Sequence, residues 1–372
     1  MQLIDTVEGA EAAAQLVSAE QLAAPRARKR LEREPWDADE LATRSLLLAR
    51  LSPAQAEVAR RDSIMMLQVI RGGWHYAPRR AESICSNYLK VLDWRAGIGA
   101  DTILSNPPPP TITQHTEWRR RWHLDVYGED REGRPILGHQ LGRIDPATFL
   151  DIFNLDMVLL QYCRDLEFVS WRKRRLTEQL GATVYKQVVI LDMKGLGMGH
   201  VGSKFRGPVA EVVVLLQQMY PEGTHRIFII NCPFAFRAVW SAVKGFVSEE
   251  TQQNIVILGD NASEQRAAFA ELGIGPTQLP SWAGGTWQDG EGLLARHAQG
   301  GSPALIEPEE EQKEPAHKEV DDGVAATVGV DLSPNSDRRL ANLVESLGKL
   351  GQPVDEREAE ALAFFLYAVH GG

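Results

Sequence analysis

From Ser63 to Trp94 apolar residues recur at helical spacing: Ile64, Leu67, Val69 and Ile70, then Ile84, Tyr88, Leu89, Val91 and Leu92. Gly72-Gly73 and Pro78 divide this run into two predicted helices. Residues 1–60, rich in Ala, Leu, Glu and Arg, read as helices as well. Asn106-Pro107-Pro108-Pro109-Pro110 is a stiff, extended connector, because proline cannot continue a helix. Beyond it the period changes. Trp122–Tyr127 and Pro135–Leu141 read as strands around the turn Gly128–Gly133, and a long helical segment over about 146–180 leads to the β-branched run Tyr185–Leu191. Residues 203–219 read as helical, and His225–Asn231 and Ile255–Leu258 as short buried strands. Strands alternating with helices predict an α/β sheet with parallel pairing. Ser302–Asn335 has the composition of a polar linker, followed by helical stretches at about 336–350 and 355–369.

Composition adds constraints. With 44% hydrophobic and 24% charged residues the 372-residue chain is ordinary globular material, and no apolar run reaches the length that spans a bilayer. The N-terminus lacks the pattern of a secretory leader, so a cytoplasmic location is expected. Cys85, Cys163 and Cys232 lack the spacing of a disulfide framework or metal site. The net charge of −10 argues against nucleic acid as a partner. Much of that charge sits in 307–322, where eight carboxylates face two lysines. Basic clusters at Arg26–Arg30, Arg119–Arg121 and Arg172–Arg175 read as solvated helix faces, or as contacts to anionic lipid headgroups.

The residues that carry an identification begin at Gly128–Ile136 (Gly-Glu-Asp-Arg-Glu-Gly-Arg-Pro-Ile). They continue through Asp192-Met193-Lys194-Gly195, Tyr220-Pro221-Glu222, Ile229-Ile230-Asn231-Cys232-Pro233, Val243-Lys244-Gly245-Phe246, and Leu279-Pro280 with Gly284-Gly285. In this order they resemble the Sec14-like, or CRAL-TRIO, family, over about residues 60–285. The resemblance implies an α/β CRAL-TRIO fold: an N-terminal helical subdomain and a mixed, mostly parallel sheet lined by helices. It divides the chain into a helical N-terminal extension (1–60), the helical subdomain (61–105), the lipid-binding domain (111–287), an acidic Pro/Glu-rich linker (288–335) and a short helical tail (336–372).

The implied function is that of a lipid carrier, not an enzyme. One hydrophobic ligand, a phospholipid such as phosphatidylinositol or else another hydrophobic small molecule such as a sterol or an isoprenoid, is taken into a pocket and transferred or presented between membranes that the protein touches transiently. Phe234, Phe236, Val239, Trp240, Val243, Phe246 and Val247 make 234–247 apolar on nearly all sides, and the resemblance makes this stretch the gate over the pocket. It also implies headgroup contacts from Glu222 and Thr251. Asn254 stands where phosphatidylinositol-binding members carry a lysine, which weakens that ligand. Gln187 and Val189, on the pocket strand, stand where members carrying phosphatidylcholine have Ser and Thr, which disfavours choline lipid. No cofactor, metal or catalytic residue is expected.

Two other readings compete. The acidic linker and tail suit a lipid-sensing adaptor whose tail recruits a protein partner. Gly197-Met198-Gly199-His200-Val201-Gly202 spells a dinucleotide-binding GxGxxG, with Glu222 as the ribose acid of a nucleotide-dependent oxidoreductase. The fingerprint needs its first glycine at the strand-to-helix turn, however, and here Asp192–Gly195 intervenes. His115, His123, His139 and His200 stand singly and read as surface or satisfied core residues, and Cys232 as packing.

Overall fold

The computed structural model describes residues 17–76, 78–104, 112–197, 200, 218–232 and 253–298. Four helices built on the predicted periodicity form the N-terminal subdomain: α2 (Ala38–Leu48), α3 (Pro53–Arg61), α4 (Ser63–Gly72) and α5 (Arg80–Ile98), preceded by the short α1 (Ala19–Ala23). Local chemistry sets their ends. Asp37 and Ser52 each cap a helix whose third residue, Glu40 or Gln55, caps back. Gly99, in the left-handed conformation, closes α5. Leu47, Met66, Val69, Ile70, Ile84, Tyr88 and Val91 form the shared core of these helices.

Helix α6 (Ile112–Trp122) leads into β1 (Leu124–Glu129) and β2 (Pro135–Gln140), an antiparallel pair. The predicted long helix is two: α7 (Phe149–Ile152) and α8 (Leu155–Leu180), separated where Asn154 takes extended backbone and caps α8 through Met157 N–H. Strands β3 (Gln187–Asp192), β4 (Thr224–Ile230) and β5 (Ile255–Ile257) then add in parallel, so the five-stranded sheet runs β1-β2-β3-β4-β5. The mixed, mostly parallel sheet lined by helices is therefore present as expected. Helix α9 (Ala262–Ala270) and the short α10 (Leu293–Ala298) complete the described elements.

Side chains alternate across the sheet with the period of two that a pleated strand imposes. Ile136, Val188, Ile190, Phe228 and Ile230 pack toward Phe269, Ile274 and Leu279 on the α9 side. Leu137 and Val189 face the other way, toward a core of Trp118, Trp122, Phe149, Phe153, Phe168 and Val169 from α6, α7 and α8.

Within the N-terminal extension α1, α2 and most of α3 are helical as expected, but one stretch is not. Between Ala24 and Asp37 the chain crosses both subdomains as a non-helical strap. Arg71 of α4, fully buried, donates to the carbonyls of Leu31, Glu32 and Glu34 at 2.7–2.9 Å and to Glu40 Oε1 at 3.0 Å. On the sheet side, Glu32 accepts the Tyr185 and Lys186 N–H groups at 2.7 and 2.6 Å and Arg134 Nε at 2.5 Å. Buried polar groups need partners, and these bonds satisfy the strap's backbone where no helix does.

Most cations of the basic clusters are paired with acids, some in buried contacts and others, such as Arg28 and Arg120, on solvated faces. Arg26 and Arg30 pair with Asp37 and Glu40 inside the strap. Arg119 pairs with Asp165, and Arg120 and Arg121 with Glu117. Arg172 pairs with Glu129, and Arg174 with Asp62.

Candidate lipid-headgroup site

The motif residues have two kinds of work. At the carboxyl end of the parallel strands they hold loops together. Asp192 Oδ1 accepts from Lys194 N–H at 3.0 Å and from Asn231 Nδ2 at 2.7 Å, and Asn231, left-handed at φ 53°, also receives Gln265 Nε2. A Cβ on Gly142 would stand 2.1 Å from the Lys194 carbonyl oxygen, so the Asp192–Gly195 turn crosses the loop after β2 at backbone contact. In the β1–β2 turn, Asp130 Oδ1 caps the Glu132 and Arg134 N–H groups.

At the amino end of the strands lies the site. Tyr220-Pro221-Glu222 precedes β4, and Glu222 takes the left-handed conformation at φ 58°, uncommon for a residue with a side chain. Several contacts fix it there. Tyr220 OH donates to Glu167 Oε1 at 2.6 Å, and Arg95 grips the same carboxylate. Gln68 Nε2 donates to the carbonyls of Pro221 and Tyr185 at 3.2 Å, and Lys173 Nζ to the Gly223 carbonyl at 3.3 Å. Gly72 of α4 lies directly beside the turn, close enough that a Cβ there would be in ordinary van der Waals contact with Pro221 and Glu222, at 3.6 and 3.7 Å. A cavity of about 10 Å³ behind the turn, lined by Gln68, Lys173, Tyr220 and Pro221, has room for about one water.

The Glu222 carboxylate, 8% exposed, lies between two cations. Lys29 Nζ from the strap is 2.7 Å from Oε2, and Lys186 Nζ, just before β3, is 2.7 Å from Oε1. Burial pushes this carboxyl's pKa up, but Lys186 and Lys29 outweigh it and hold the group below its ordinary range. Lys173, fully enclosed nearby, has its pKa pushed down to about 7 by burial. Two lysines against one carboxylate leave the seat net positive.

Gln187 and Val189 share the β3 face turned toward α8. Gln187 is buried beside Lys186, and its N–H donates to the Gly223 carbonyl at 2.8 Å. Asn254, half-buried, directly precedes β5, whose Ile255 pairs with Ile227. Glu222, Gln187 and Asn254 are therefore at the same end of the parallel strands. Thr251 and the gate residues Phe234, Phe236, Val239, Trp240, Val243, Phe246 and Val247 lie outside the described residues. So do the acidic linker from 299 onward and the tail helices.

Sequence reasoning missed Lys29 and Lys186. Lys29 lies in a segment read as helix, far along the chain from Glu222, and nothing local marks it. Lys186 was within reach, because it immediately precedes the strand that ends in the Asp192 motif.

The remaining readings resolve in the same way. Gly197 lies beyond the end of β3, after the Asp192–Gly195 turn, and Glu222 is held by lysines; neither sits as the dinucleotide fingerprint requires. His139 and His200 bond to the carbonyls of Trp122 and Ile144, and His115 to Gln161. All three cysteines are buried, and none is in a disulfide. Among the described residues, no helix is long and apolar enough to cross a membrane.

Comparison with known proteins bears on residues 120–285, which match the family model described as the CRAL/TRIO domain. The chain is 28% identical over 206 residues to the phosphatidylinositol/phosphatidylcholine transfer protein SFH4 of Arabidopsis thaliana, covering 54% of this chain and 32% of that protein. It is 27% identical over 269 residues to the transfer protein SFH11 of the same plant, covering 71% and 67%. The match spans about a third of the length of SFH4 and, at 28% identity over 207 residues, of the transfer protein SFH9 of the same plant. The crystal structure of Sfh5 aligns with a TM-score of 0.45 and 14% identity, over 70% of this chain and 85% of that one.

Proposed function

With a CRAL/TRIO domain of the Sec14-like kind over residues 120–285, this chain is one for which we propose the binding of a single phospholipid with an anionic headgroup, phosphatidylinositol being the first choice, and its transfer between membranes. The observation that carries this reading is the seat at Glu222. A phosphate approaching it meets Lys29 and Lys186, while the carboxylate accepts the hydroxyls of a sugar-like headgroup. Lys29 and Lys186 supply the positive charge that Asn254 cannot. The relatives named as phosphatidylinositol/phosphatidylcholine transfer proteins support the same class of ligand.

The acyl chains lie on the α8-facing side of the sheet, beside Val189, under the apolar stretch 234–247, which serves as the gate. Its stripe of Phe236, Val239, Trp240, Val243 and Phe246 supports that role. Burial of acyl chain contributes roughly 0.8 kcal/mol per methylene and drives uptake, while the few polar contacts set which lipid is chosen. Gln187 and Val189 offer no hydroxyl beside the pocket strand, so phosphatidylcholine is the poorer ligand.

Transfer from donor vesicles containing phosphatidylinositol or phosphatidylcholine tests the reading. The expected result is faster transfer of phosphatidylinositol, reduced about tenfold in Glu222→Gln, because a neutral acceptor makes weaker hydrogen bonds than a charged one. Equal transfer of both lipids, unaffected by the substitution, would place the headgroup elsewhere.

A further inference from the structure

Lys173, on α8, is 4% exposed, and its Nζ donates to the Gly223 carbonyl, one residue beyond Glu222, at 3.3 Å. Among the described residues no carboxylate forms an ion pair with it. The acids packed around it are engaged elsewhere. Asp62, between α3 and α4, accepts the Met65 N–H at 3.0 Å and pairs with Arg174 at 2.6 Å. Glu32 of the strap holds Arg134 and the Tyr185 and Lys186 N–H groups, and Glu222 holds Lys29 and Lys186. Glu167 is taken by Arg95 of α5 and by Tyr220 OH. Gln68 of α4, which lines the same small cavity, is neutral.

An ammonium so placed is poorly solvated. The cavity beside it, of about 10 Å³, admits a single water, and loss of water disfavours the charged form of a lysine. Burial accordingly pushes its pKa down to about 7, with Glu32 and Asp62 opposing the fall and Lys186 adding to it. The groups around it keep their charge states across that range. Burial pushes His225 of β4 down to about 4, so it stays neutral; burial raises Tyr220, which keeps its proton; and the flanking lysines keep Glu222 ionised. Lys173 thus changes charge near neutral pH directly behind the turn that carries Glu222. The neutral amine still donates to the Gly223 carbonyl, so the turn keeps its hold while its surroundings lose one positive charge.

Taking the Glu222 seat as the headgroup site, on which this step rests, we propose that Lys173 makes its loading pH-dependent. Protonated, Lys173 adds its charge to those of Lys29 and Lys186 and tightens the seat on a phosphate; neutral, it does not. The sign holds whatever the total charge around the seat, because raising the pH removes one positive charge and adds none. Affinity for an anionic headgroup therefore falls as pH rises. By linkage, a bound phosphate in turn holds the proton on Lys173.

Loading of the full chain from phosphatidylcholine vesicles of graded phosphatidylinositol content, at pH 6 and at pH 8.5, tests it. In wild type the phosphatidylinositol content needed for half-loading should rise about three- to fivefold at the higher pH, as one charge near a phosphate in partly solvated surroundings requires. Lys173→Met should give wild type's pH 8.5 value at both, and Lys173→Arg, always charged, its pH 6 value at both. A wild type that does not respond to pH, or a Lys173→Met chain that responds as wild type does, overturns the proposal while the headgroup reading stands. A chain that takes up no phosphatidylinositol at either pH overturns both. Should the substitutions fail to fold, NMR of wild type with isotope-labelled lysine decides. One side-chain signal must titrate near neutrality and move its midpoint upward when phosphatidylinositol is bound, and an unmoved midpoint rejects the proposal.

Discussion

Lys29 Nζ lies 2.7 Å from Glu222 Oε2, joining the N-terminal strap to the turn before β4. The contact places a residue of the extension inside the candidate headgroup seat. Strap and site therefore form one unit: the same segment that is clamped by Arg71 and Glu32 presents the cation that a phosphate would meet.

This pairing has a definite pH dependence. The lysines hold the Glu222 pKa below its unfolded value, so the pair's stabilisation is fully present above about pH 4.5 and is lost as pH falls through the lower folded value. Lys29 is partly exposed, which limits the contribution to about 1 kcal/mol. Urea titrations between pH 3 and 7 should show wild type losing more stability on acidification than Lys29→Ala. Parallel curves would mean that the pair is energetically silent.

The Arg71–Glu40 pair should behave differently, because both side chains are fully buried and Arg71 also holds three strap carbonyls. Glu40→Gln leaves the buried Arg71 guanidinium without its carboxylate, and Arg71→Met strips three strap carbonyls of their donor while Glu40 keeps Arg26 and Arg30; each should cost about 3–5 kcal/mol in urea unfolding. Arg71→Met should in addition expose the strap to limited proteolysis near Leu31.

Gly142→Ala should destabilise the protein by about 1–3 kcal/mol, since the new methyl would collide with the Lys194 carbonyl and push the Asp192–Gly195 turn away from the β2 loop. Gly97→Ala is the control. A Cβ there meets nothing within 4 Å, and within helix α5 the exchange should be neutral or stabilising. Thermal melting of the two variants checks the contrast.

What could be read along the chain follows from the range of the forces involved. Strands β1 to β5 fell within a few residues of their predicted positions, because alternation and β-branched runs are local signals. The break at Gly72-Gly73 and Pro78 was equally local, setting α4 off from α5. The strap was not legible: Arg26–Arg30 has helix-forming composition, and tertiary contacts hold it extended, among them Arg26 N–H to the Trp74 carbonyl, Arg80 to the Ala24 carbonyl and Lys29 to Glu222, with Arg71 gripping the carbonyls that follow. Glu222 could be found by its motif. Its partners could not, because an ion pair between Lys29 and Glu222 leaves no periodicity or spacing in sequence. Likewise, most arginines in the three basic clusters are consumed by distant or buried acids, a fate that charge counting alone does not reveal.

The central claim is that the Glu222 seat, with Lys29 and Lys186, receives the headgroup of one anionic phospholipid. Native mass spectrometry of the full chain, after incubation with vesicles of mixed phosphatidylinositol and phosphatidylcholine, measures it most directly. The account predicts one phospholipid per chain, predominantly phosphatidylinositol, with that preference lost in the Lys29→Ala, Lys186→Ala double variant. A chain that emerges without lipid, or a double variant that loads phosphatidylinositol as wild type does, would contradict it.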